Sequence, residues 1–176
     1  MKSGPAKGTP RQKTASILPL AGQSVQSLTI RNRQHTRRVK TNSLRRLTKA
    51  LLVECIIKTQ FDLSVCVVNA SEITGLNENF LRHKGSTDVI TFDYCDTSAA
   101  GGIFGEIFIC VDQAVSQARR FRTTWQSEMV RYIVHGVLHL CGFDDHSTDG
   151  RRKMKLAEDR LLRQLARRFD FTALGD

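Results

Sequence analysis

Residues 124–141 read TWQSEMVRYIVHGVLHLC, and they restrict the fold more than any other stretch. Trp125, Met129, Val130, Ile133, Val134, Val137, Leu138 and Leu140 cover almost every direction around a helix. A helix that is apolar on all sides must be enclosed by protein or by lipid. Glu128, Arg131, His135 and His139 interrupt it, and no run in the chain reaches the ~18–20 apolar residues of a membrane span. The stretch is therefore expected to be the buried central helix of a folded domain. The Thr123-x-x-Gln126 pattern predicts a capping box at its start, and Gly142 predicts a left-handed residue that stops it.

The rest of the chain supplies what would enclose that helix. Leu28–Ile30, Leu63–Val68, Val89–Phe92 and Ile107–Val111 are β-branched or alternating runs that predict four strands. Leu44, Leu47, Leu51, Leu52 and Cys55 recur at three- and four-residue steps and predict a helix over 42–57 with Arg45, Arg46 and Lys49 outward. Asn69 followed by Glu72 predicts a helix start running toward Arg82, and Asp112 predicts a cap for a helix ending near Phe121. A last helix over 149–168 is expected to bury Met154, Leu156, Leu161, Leu162 and Leu165. The expected fold is α+β: a single domain with a small mixed four-stranded sheet, packed by about five helices around the central one.

Charge divides the chain more sharply than hydrophobicity does. Residues 1–50 hold twelve Lys/Arg and no acid, residues 51–150 hold seven Lys/Arg and thirteen acids, and residues 151–168 hold eight Lys/Arg and two acids. Basic segments flanking an acidic middle read most simply as a phosphate-binding footprint for nucleic acid, with a solvated face and a solubilising tail as the alternative. Residues 1–24 are rich in Lys, Gly, Pro, Ser and Thr and show no period, so they are expected to be a basic disordered tail on a domain spanning 25–176. The five cysteines form no C-x-x-C pair, and the N-terminus offers no secretory apolar run. Both features point to a reducing, cytoplasmic setting.

Three of the five histidines fall in His135–His146, HGVLHLCGFDDH. His135 and His139, four apart, stack on one helix face at the reach of a single ion. The turn after Gly142 brings Asp144, Asp145 and His146 back toward them, so a third donor lies near the open end of the pair. Three protein ligands leave a fourth tetrahedral position for solvent, the arrangement of catalytic rather than structural zinc. By type, His146 is the favoured third ligand and Asp145 the alternative. Zinc peptidases carry a glutamate after the first histidine; here that position is Gly136, which argues against peptide hydrolysis.

His135 to Asp144 resembles the H-G-x-L-H-L-x-G-[YF]-D-H signature of the YbeY endoribonuclease family. The resemblance extends through Leu76-Asn77, Thr87–Phe92, Gly105–Ile107 and Ile109-Cys110, over about residues 25–168. It implies an α+β domain holding one Zn2+ in a cleft, and single-strand RNA cleavage in 3′-end maturation of the small-subunit rRNA and in ribosome quality control. It also implies the small ribosomal subunit and assembly factors as partners. Two departures stand out. Asp145 occupies the place of the family's third histidine, with His146 one later. The family's substrate-contacting arginine directly follows an aromatic residue, whereas here Phe80 precedes Leu81 and Arg82 comes next; that catalytic role passes to Arg82.

On this reading the metal polarises a water or a phosphate oxygen and stabilises charge on a phosphorane-like transition state. Arg82, His83 and Lys84 would hold phosphates, and Asp144 would either orient a ligand histidine or cap the turn. The rival from another class is a non-catalytic ribosome-assembly factor in which a structural zinc only braces the fold.

Overall fold

The computed structural model describes residues 6–7, 25–56, 60–95 and 102–176. Among the described residues, five strands form one sheet in the order β1-β4-β5-β3-β2: β1 (Ala6–Lys7), β2 (Gln26–Asn32), β3 (Phe61–Val68), β4 (Val89–Asp93) and β5 (Ile103–Cys110). Strands β2, β3 and β5 run parallel, β4 is antiparallel to β5, and β1 pairs parallel to β4. The four longer strands are those expected. The two-residue β1 was not, because Ala6–Lys7 carries no strand signal and pairs only with Phe92 and Asp93. The expectation of a disordered tail otherwise lies outside the described residues.

Alternation along the strands separates two apolar faces. Leu63, Val65, Val67, Ile103, Ile107, Ile109 and Val89 point to the main core, under α1 (Thr41–Ala50), α4 (Trp125–Leu140) and α5 (Thr148–Ala166). Cys66, Val68, Ile90, Phe92, Phe108 and Cys110 point the other way, and Ile73 of α2 (Ala70–Leu76) covers them. Helix α3 (Val111–Phe121) follows β5 directly and packs beside α4. Burial raises the thiol pKa of both Cys66 and Cys110, as befits cysteines that serve as small core residues.

Central helix α4 buries thirteen of its sixteen residues. Its cap differs from the expected one: Thr124 accepts the Ser127 amide, while Thr123 donates to Glu128 and Gln126 donates to the Gly175 carbonyl. Asp112 likewise lies within α3 and accepts the Ala70 amide at the start of α2 at 2.6 Å. For Gln126 and Asp112 a tertiary partner outcompeted the local one. Asn69 caps α2 as expected, accepting from the Glu72 amide. Helices α1 and α2 each run on into a five-residue wide π turn, over Leu51–Cys55 and Asn77–Leu81. Leu156, expected to be buried, is 63% exposed. The inward face of α5 is Met154, Ala157, Glu158, Leu161 and Leu165, and Leu156 lies off it.

Candidate metal centre

His135 and His139 occupy the last turns of α4 at 7% and 3% exposure, with ring centroids 4.6 Å apart and ring planes at 83°. The His139 Nδ1–H donates to the Phe143 carbonyl at 3.1 Å. A carbonyl only accepts, so the proton of the neutral ring is on Nδ1. The His135 Nδ1–H donates to Glu158 Oε1 at 2.6 Å. With both rings neutral, each Nε2 carries a lone pair, and the two atoms face each other at 3.0 Å.

Two acceptors at that distance repel unless something positive lies between them. Tetrahedral zinc, with Zn–N near 2.0–2.1 Å, would set two imidazole nitrogens ~3.3 Å apart, close to this spacing. Burial lowers the pKa of His139, and the neighbouring His135 lowers it further against the opposing pull of Asp145. The ring is thereby kept neutral, the form that ligates metal.

A candidate third donor lies in the turn. Gly142 adopts φ +87°, the left-handed conformation expected of it. Its amide donates to His139 O at 2.9 Å and the Phe143 amide to Leu138 O at 3.0 Å, a Schellman closure. This bend aims Phe143 O at His139 and returns the chain over the helix end. The carboxylate of Asp145 joins the two histidines in a group whose ligand atoms all lie within 4.8 Å of one another. His146 instead groups with Asp144 and Asp145, its Nε2 3.6 Å from Asp144 Oδ1. Asp144 accepts the His146 amide at 3.0 Å, a turn-capping bond. Arg151 Nη1 braces the bend by donating to the carbonyls of Asp145 at 3.2 Å and His146 at 2.9 Å. Two imidazoles and a carboxylate fit a divalent ion, zinc among them.

Gly136 is accounted for by packing. A Cβ there would lie 2.9 Å from Ile107 Cγ2 and 3.0 Å from Thr91 Oγ1. The position faces the sheet, so a peptidase-type glutamate on this helix would meet β4 and β5, not the pocket. Arg82 ends the wide turn after α2, exposed and at φ 55°. Its neighbours His83 and Lys84 are exposed too. The structure sets this basic cluster after the helix that covers the other face of the sheet, and among the described residues no hydrogen bond or ion pair joins it to the histidines.

Glu158 was missed by sequence reasoning. The available signal was a lone carboxylate on the inward face defined by Met154, Ala157, Leu161 and Leu165, where a charge needs a partner. It lies 23 residues from His135 in sequence, beyond the reach of any local motif.

Fold and site together define a class: a single-domain α+β protein whose central helix presents a histidine–carboxylate pocket suited to a divalent ion. The sequence profile of the YbeY endoribonuclease family matches residues 29–166. The chain is 35% identical over 136 residues to Endoribonuclease YbeY of Chlorobium luteolum, covering 73% of this chain and 97% of that protein. It is 35% identical over 108 residues to the protein of the same name from Phocaeicola vulgatus, covering 61% and 76%. A solution structure of a Thermotoga maritima protein shares the fold, with a TM-score of 0.57 at 24% identity over 78% of this chain and 88% of the other. This chain belongs to the YbeY endoribonuclease family.

Proposed function

We propose that this protein is a zinc-dependent, single-strand-specific endoribonuclease of the cytoplasm, acting in 3′-end maturation of the small-subunit rRNA and in ribosome quality control. The observation that carries the reading is the pair of Nε2 atoms held 3.0 Å apart beside the Asp145 carboxylate, in a chain of this family. His135, His139 and Asp145 would hold one Zn2+, with His146 as the alternative third ligand. The ion would supply Lewis-acid polarisation at the scissile phosphate or an attacking water.

The chain's own residues have separable tasks. The Phe143 carbonyl and Glu158 fix which imidazole nitrogens face the pocket. Arg82, placed on an exposed turn with His83 and Lys84, would contact substrate phosphate as the catalytic cation. The outer face of α5, which begins directly after the metal-site turn, exposes Arg152, Arg160 and Arg163, with Arg167 exposed at its C-cap, and these suit an RNA backbone. Among the described residues no helix is long and apolar enough to cross a membrane. The small ribosomal subunit and its assembly factors are the partners that fit this reading.

The test is zinc content and cleavage of single-stranded and duplex RNA by purified wild-type, His139→Ala, Asp145→Ala and His146→Ala proteins. We expect one zinc per wild-type chain, cleavage of the single strand alone, and loss of both zinc and cleavage in His139→Ala and Asp145→Ala. Retention by Asp145→Ala with loss in His146→Ala would reassign the third ligand. A folded His139→Ala that cleaves as well as wild type would leave only the RNA-binding assembly factor.

A further inference from the structure

We infer that Glu158 is a positioning residue of the metal centre, setting the tautomer and donor strength of His135; the inference rests on the metal reading above and deepens it. Glu158 is 7% exposed, on the α5 face that packs against α4. Its two oxygens are divided between partners: Oε1 accepts the His135 Nδ1–H at 2.6 Å, and Oε2 lies 3.5 Å from Arg131 Nη1. A carboxylate that takes the Nδ1 proton in a hydrogen bond leaves Nε2 as the only ligating nitrogen and makes it more basic.

The two rings are therefore not equivalent. His139 has a neutral carbonyl behind it, whereas His135 has an anion. Arg131 restrains that anion, and its Nε lies 3.8 Å from Glu128 while Nη1 lies 3.4 Å from Asp159. Since Arg131 and His135 are one turn apart on α4, a single carboxylate from α5 reads both. A purely structural brace would need only the Arg131 contact. The shorter bond goes to the histidine.

The experiment is a competition titration of full-length protein with a chromophoric chelator, together with the visible spectrum of the cobalt-substituted form. Glu158→Gln, nearly isosteric, should keep one ion per chain, lose affinity 10–100-fold, and shift the cobalt bands. Arg131→Gln, which leaves the His135 contact in place, should lower thermal stability with affinity within about threefold of wild type. Unchanged zinc affinity and cobalt spectrum in Glu158→Gln would overturn the inference and leave the metal centre standing. A wild-type chain that takes up no stoichiometric zinc would overturn the metal centre and this inference together. A readout that needs no variant is the ring 15N spectrum of His135 in metal-free wild type at pH 8. The Nδ1–H tautomer is expected, and an Nε2–H tautomer would refute the assignment whatever the fate of Glu158→Gln.

Discussion

At the scale of the residue, the site depends on what each position can touch. Gly136 shows how tightly this holds. It lies mid-helix, where glycine costs about 1 kcal/mol relative to alanine, yet its Cα faces Ile107 and Thr91 with no room for a methyl group. Overpacking of this kind costs ~1–3 kcal/mol and, against the buried, β-branched side chains of Ile107 and Thr91, should exceed the gain in helix propensity. Gly136→Ala is therefore expected to lower the urea midpoint, and a Gly136→Ala protein more stable than wild type would show that α4 stands further from the sheet. Gly136→Glu should be destabilised more severely and gain no peptidase activity, because its carboxylate would be directed at β4 and β5.

At the scale of the element, the outer face of α5 carries the prediction. Lys153 and Lys155 are paired with Asp149 and Asp159 at 2.7 and 3.1 Å, whereas Arg160, Arg163 and Arg167 have no ion pair among the described residues. Their spacing places them along one face over ~10 Å of helix at 1.5 Å per residue. The macrodipole explains a cation in the last turn, but not an arginine two turns earlier. If the row binds single-stranded RNA, each lost phosphate contact should reduce the slope of log K against log[salt] by ~0.7. The triple variant Arg160→Gln, Arg163→Gln, Arg167→Gln should then reduce it by up to ~2, with saturating cleavage of a short oligonucleotide little changed; an unaltered slope would make the row an ordinary solvated face. Legibility in the sequence follows the same scale. The central helix, its Gly142 stop and the His135–His139 pair were readable because backbone rules and helical spacing act within a few residues. Leu156, Asp112 and Glu158 were not, because what surrounds each comes from another element: Asp112 answers to the amide of Ala70, and Glu158 to a histidine on α4. The third ligand fell between these cases. The sequence placed Asp145 and His146 at the turn, and only the fold of the bend brings Asp145 alone into the group with both histidines.

At the scale of the molecule, the proposed ion is a tie between parts that also meet through apolar packing and through the contacts of Arg131 and Arg151. Helix α4 would supply two donors and the turn over 143–146 the third, and α5 backs His135 through Glu158. The unfolded chain has no such assembled site, so zinc should bind the native state far better and raise stability by mass action, about 2.7 kcal/mol at a hundredfold excess over Kd. For a domain of this size that corresponds to roughly 5–10 °C in Tm. Chelation should remove the increment from wild type and change nothing in His139→Ala or Asp145→Ala. The Glu158→Gln protein should show the full increment only at correspondingly higher zinc, since its site is weakened and not abolished. Scanning calorimetry with and without zinc separates these outcomes, and equal gains in wild type and His139→Ala would mean that the stabilising ion sits elsewhere than in the α4 pocket.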